Sequence, residues 1–284
     1  MIAFITRVAA AASLAAGVWF WSSQANAGSV LDNVLATKTL TVAVGTDWGA
    51  MASLNAQHEL AGSDIDVAKG IAKYLGVDVE FVTPGWDVIV AAKWQGRWDI
   101  AMGEMTPTEE RAKVFDFPAV YIYSTFVVEV HKDSTATKPS DLDGKIVGVC
   151  ANCLGEFYAN HTLTPNWVGA KPIKYQFTPG KVVSYGSSSN IGEDDLRLGD
   201  GVRLDAYITE ESFGKSAIDR GYPFKMLSPA LFSSPAAMAV LPGDKEFSGK
   251  IAAAIQSMRD DGTLSKIMIK WYGVDRSLNR SVEN

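Results

Sequence analysis

The residue with the clearest chemical capacity is Arg111, which follows Thr106 by five positions in Met105-Thr106-Pro107-Thr108-Glu109-Glu110-Arg111. A guanidinium presents a planar fork of donors that grips a carboxylate through two parallel hydrogen bonds. Thr106 can add a hydroxyl, and the N–H groups that open the following short helix favour an anion. The plainer reading of Arg111 is a solvated helix residue paired with a neighbouring Glu. Three acids, Asp47, Glu104 and Glu210, could hold a positive group, and the indoles of Trp48 and Trp86 could face a ligand from either side. An indole face attracts a cation by ~0.5–2 kcal/mol when water is excluded. Core packing is the rival role for Trp86, and a helix-start carboxylate stabilised by the dipole is the rival role for Glu210.

Cys150 and Cys153 are the only cysteines, so no second pair exists to complete a zinc site. In an oxidising compartment this Cys150-Ala151-Asn152-Cys153 turn is expected to close as a local disulfide. A redox-active dithiol is the functional rival, but the order of elements around the turn does not look like thioredoxin. Enzyme signatures G-x-S-x-G, G-x-x-x-x-G-K-[ST] and H-E-x-x-H are absent, and His58, His131 and His161 lie far apart. No catalytic residue, metal or cofactor is expected.

The elements that must position these residues follow from periodicity. Strands are predicted at 39–44, 77–82, 98–102, 126–130, 145–149, 182–185, 204–208 and 236–241. Helices are predicted at 64–75, 86–95, 154–161, 191–198, 211–220, 247–259 and 264–271, with a short one opening in 106–111. Strand–helix alternation implies parallel pairing with right-handed crossovers, and the pattern restarts near residue 126. No Gly/Ser-rich or Pro-rich linker separates the two units, which points to lobes joined by strands. Open α/β sheets bind ligands beyond the carboxyl ends of their strands, so two facing lobes would form a cleft.

Residues 1–27 carry one charge, Arg7, then an apolar run from Val8 to Trp21, and end Ala25-Asn26-Ala27. That is the pattern of a cleaved secretory signal peptide, and the apolar run is short of the ~20 residues a spanning helix needs. The 284 residues are 47% hydrophobic with a net charge of −6, which fits a globular chain without the basic stripe of a nucleic-acid binder.

Several segments resemble one family. Gly62-Ser63-Asp64-Ile65-Asp66-Val67-Ala68 is similar to a Gly-Phe-Asp-Val-Asp-Leu-Ala segment of the bacterial extracellular solute-binding proteins that serve polar amino-acid ABC importers. Trp86-Asp87, Gly96-Arg97-Trp98-Asp99, the Met105–Arg111 signature, Leu142–Val149, Asp261–Ile267 and Trp271-Tyr272-Gly273 resemble further segments of that family, in the same order. The resemblance implies a type II periplasmic binding fold of two Rossmann-like α/β lobes. Lobe one would comprise 28–125 and 234–284, and lobe two 126–233. It also implies capture of an amino acid or a related zwitterionic or cationic molecule by hinge closure, as a periplasmic monomer that delivers to an ABC permease. Arg111 would hold the ligand's α-carboxylate. Leu204-Asp205-Ala206-Tyr207-Ile208-Thr209-Glu210 resembles the family segment whose final Asp pairs with the α-ammonium, with Glu210 in its place. Met105, Thr106, Asn152 and Cys153 would join Asp47, Trp48, Trp86, Glu104, Arg111 and Glu210 around the ligand. Backbone N–H groups of the Cys turn would replace the Thr hydroxyls usual there. The alternative is an enzyme on this scaffold, similar to cyclohexadienyl dehydratase.

Overall fold

A computed structural model describes residues 30–186 and 189–278; the segment read as a signal peptide lies outside them. The chain begins α1 (Val30–Thr37), β1 (Thr39–Ala43), the hairpin β2 (Ser53–Leu54) and β3 (Leu60–Ala61), and α2 (Ser63–Leu75). Next come β4 (Asp78–Val82), α3 (Trp86–Val90), β5 (Ile100–Met105), α4 (Glu109–Ala112) and the long strand β6 (Val120–His131). After it follow β7 (Ile146–Cys150), α5 (Leu154–Ala159), β8 (Lys181–Tyr185), α6 (Ser189–Leu196), β9 (Ala206–Glu210), α7 (Glu211–Asp219) and β10 (Phe224–Met226). The chain closes with β11 (Phe232–Ala239), α8 (Lys245–Asp260) and α9 (Thr263–Tyr272).

One sheet runs β4-β1-β5-β11-β6-β9-β7-β8, with β10 also on β6. At one end β4, β1 and β5 are parallel, and at the other β9, β7 and β8 are parallel. Between them β6 and β11 pair antiparallel with each other and with a strand of each end. Both are predicted shorter than they are, at 126–130 and 236–241. Each runs on as a central strand because it is paired from end to end, the early part of β6 to β11 and the later part to β9. Tertiary pairing thus overrides the weaker local signal of Ser-, Pro- and Ala-rich stretches.

Two aspartates clip matching places in the two parallel units. Asp99 Oδ2 accepts from the Thr41 N–H at 2.8 Å, and Asp205 Oδ2 accepts from the Ile146 N–H at 2.7 Å. Both therefore set strand register. One apolar cluster, including Leu40, Ile65, Ile71, Ile100, Ile251 and Leu264, lies under β1, β5, α2, α8 and α9. Two others, one around Val149 and Tyr158 and one around Tyr207 and Leu204, cover the two faces of the β9-β7-β8 unit. α2 buries Ile65, Ala68, Ile71 and Ala72 at helical spacing and stops at Gly76, which takes φ 70°, a conformation open to glycine. The helix predicted at 86–95 ends at Val90 instead, because Ala92 and Gln95 take φ near +55° and Trp94 turns inward to donate from Nε1 to the Ile89 carbonyl. Among the described residues no helix is long and apolar enough to cross a membrane.

Candidate functional site

The carboxyl ends of the parallel strands of both units converge on one cavity of about 120 Å³. From the β1–β5 side come Trp48, Met51, Trp86, Gly103, Glu104 and Arg111. From the β7–β9 side come the Cys150–Cys153 turn, Leu154, Thr209 and Glu210, while β6 supplies Ser124 and Phe126. Fold topology creates this convergence, since the loops after parallel strands of each unit open towards the other.

Arg111 anchors one end. Its side chain is buried between the rings of Trp86 and Phe157, 5.6 and 5.7 Å from their centroids. Nη1 donates to the Thr106 carbonyl and Nη2 to the Asn152 carbonyl, each at 3.0 Å. Among the described residues no carboxylate faces it, and burial lowers its pKa to about 10. A guanidinium has five N–H donors, so three remain for a ligand. The solvated-helix reading of Arg111 is therefore set aside.

The structure changes how its neighbours act. The Thr106 hydroxyl turns away to Ser234 Oγ at 3.0 Å, and only its carbonyl serves Arg111. Two N–H groups at the start of α4 are already engaged: that of Glu109 by the Thr164 carbonyl and that of Arg111 by Thr108 Oγ1. In the Cys turn, Asn152 takes φ 59° and its N–H donates to Glu156 Oε2 at 2.6 Å. At Asn152 the turn thus offers Arg111 a carbonyl, and the N–H of this residue is engaged by Glu156. Cys150 and Cys153 form the disulfide, with Cα atoms 5.3 Å apart, and both line the cavity. Met105 is wholly buried in the core beside β11 and does not line the cavity. Asp47 also stays outside it, exposed and paired through its backbone with Ser53.

Trp48 and Trp86 do line the cavity, but they touch each other edge to face, with centroids 5.8 Å apart and planes at 84°. Such a pair cannot sandwich a ligand ring, and instead forms one apolar wall. Gly103 permits it: at φ 119°, a Cβ there would lie 2.9–3.0 Å from both indoles.

Two acids, Glu104 and Glu210, line the same cavity. Glu104, held at φ 49°, accepts from Ser124 Oγ and, at 2.6 Å, from Tyr272 Oη. Burial, then the nearby Glu210 and Asp64 charges, push its pKa up to about 8. Asp64 accepts from Tyr121 Oη at 2.6 Å and is pushed up to about 7 by burial. Glu210 accepts from Ser212 N–H at 3.0 Å and from the Ser212 hydroxyl, capping α7, while its other oxygen meets Arg276 Nη1 at 2.6 Å. The helix-cap reading is thus part of its role. Sequence reasoning missed Arg276, Tyr272, Ser124 and Thr209 as parts of this site. Arg276 lies three residues past the last resembling segment, so no motif flags it, and Trp271-Tyr272-Gly273 points only to a C-terminal helix.

The fold is that of a solute-binding protein, and the chain belongs to family 3 of the bacterial extracellular solute-binding proteins, whose profile matches residues 40–274. It is 27% identical to a probable amino-acid ABC transporter-binding protein of Haemophilus influenzae, over 93% of this chain and 96% of that one. It is 29% identical to an L-arginine-binding protein of Pseudomonas aeruginosa, over 76% and 81% of the two chains. Among solved structures, an ancestral amino-acid-binding protein that is a precursor of cyclohexadienyl dehydratase superposes with a TM-score of 0.73 at 27% identity. That match covers 86% of this chain and all of the other.

Proposed function

We propose that this chain captures an amino acid in the cavity between its two α/β units and delivers it to an ABC permease, as an exported monomer with no enzymatic activity. The observation that carries this reading is the buried Arg111 guanidinium, which has spare donors and no carboxylate partner among the described residues. A ligand carboxylate would supply the missing charge through a bidentate pair. Relatives named as amino-acid binders support the ligand class. The mechanism is closure of the 28–125 and 234–284 lobe on the 126–233 lobe about β6 and β11, which run uninterrupted across both boundaries. Arg111 already reaches across to Asn152, so a ligand held by Arg111 and Thr209 together would favour the closed state over the open one.

A thermal-shift and calorimetric screen of the twenty amino acids tests it. A ligand at 100 times its Kd is expected to stabilise the fold by ~2.7 kcal/mol. Binding by no amino acid, or binding that survives removal of the α-carboxylate, would overturn the reading. The enzyme alternative rests on Glu104, a half-buried carboxyl protonated near neutrality that a general-acid step could use. Incubation with prephenate or arogenate is expected to give no product.

A further inference from the structure

The acids that line the cavity are backed by a cation, Arg276, which does not itself line it. Arg276 lies just past α9, its backbone carbonyl accepting from the Tyr123 N–H at 2.9 Å on β6. From there its side chain crosses over Tyr272, 4.5 Å above the ring centroid. Nη1 meets Glu210 at 2.6 Å and Nη2 meets Glu211 at 3.4 Å. Its side chain is only 13% exposed, and Glu210 only 6%. The same Tyr272 donates its hydroxyl to Glu104, so Arg276 stands behind both acids that face the cavity. A guanidinium, the group that an arginine ligand would bring to such acids, is here supplied by the chain itself.

Charge in the closed cleft then limits the ligand. Arg276 offsets Glu210, and Arg111 awaits a carboxylate. What remains is Glu104, a single carboxyl that would give up its proton to pair with one ligand ammonium. A second ligand cation would find Glu210 already paired with Arg276, and the guanidinium behind that carboxylate would repel it. We propose that Arg276 is a specificity-determining residue that restricts this site to amino acids with uncharged side chains and excludes arginine- and lysine-like ligands. The proposal rests on the reading that Arg111 holds the ligand carboxylate.

Calorimetric titration of L-arginine, L-glutamine and L-serine into the wild-type chain and into Arg276→Gln, Arg276→Lys and Arg111→Met separates the two. Arg276→Gln should bind L-arginine at least tenfold more tightly than the wild type does, because Glu210 is released to a ligand cation. Arg276→Lys keeps the charge and should leave L-arginine binding as weak as in the wild type. Should Arg276→Gln not fold, Arg276→Met, which retains contact with the Tyr272 ring, carries the same comparison. No gain of L-arginine affinity in the charge-removing variant, including no binding in either chain, overturns the proposal. Loss of all binding in Arg111→Met with no gain at position 276 refutes only this inference; unchanged binding in Arg111→Met refutes the carboxylate reading beneath it.

Discussion

Replacing Arg111 by Met should separate stability from function in opposite directions. The side chain keeps much of its length between Trp86 and Phe157 but loses its charge. Burial lowers the guanidinium pKa to about 10. Against an ordinary value near ~12.5, and at ~1.4 kcal/mol per pKa unit, that is ~3 kcal/mol of desolvation removed by the substitution. Two carbonyls lose a donor. Asn152 is exposed, so its carbonyl can turn to water, whereas Thr106 is buried and its carbonyl is left unpaired at a cost of ~1–3 kcal/mol. Without ligand the variant should therefore be as stable as the wild type or more stable by up to ~2 kcal/mol. For a chain of this size that is a Tm rise of at most ~8 °C. Removing the partner of a buried carboxylate costs ~2–5 kcal/mol in affinity, roughly 30- to 4,000-fold. Differential scanning calorimetry with and without the best-binding amino acid measures both. A wild-type shift of several degrees on saturation should vanish in Arg111→Met. If the variant instead melts well below the wild type and still shifts fully with ligand, Arg111 is a structural residue and the argument fails.

Stability should fall as pH rises from about 5 to 9. Burial raises Asp64 to about 7, Glu104 to about 8, Glu129 to about 8 and Glu193 to about 7. The folded chain therefore keeps protons that the unfolded chain, with carboxyl pKa values near ~4, has already lost. Tm measured across this range should decline, most steeply between pH 5 and 8. Both Glu129 oxygens are buried without a hydrogen-bond partner among the described residues, so Glu129→Gln should flatten the decline; an unchanged profile would reject that assignment. Gly103→Ala would place a methyl 2.9–3.0 Å from Trp48 and Trp86 at a φ of 119°. It should cost about 1–3 kcal/mol of stability and change the fluorescence of the indole wall, and a wild-type melt and spectrum would show that the wall is not set by this glycine.

Local sequence determined the repeating elements and singled out Arg111. The Ile65–Ala72 spacing could only bury one face as a helix, and an Arg five residues after Thr106 in a family signature pointed to a carboxylate. The Cys150–Cys153 bridge followed from the three-residue spacing and an oxidising destination. These features were legible because they depend on residues close together in the chain. Tertiary structure decided the rest. It joined β6 and β11 into full-length strands, turned the Thr106 hydroxyl away, left Asp47 and Met105 out of the cavity, and set the two indoles edge to face. Most of all it brought Arg276 to Glu210, 66 positions apart, which offsets one of the three acids read from the sequence. Electrostatic energy depends on which charges are near in space and shielded from water, and no local pattern encodes a partner that far along the chain.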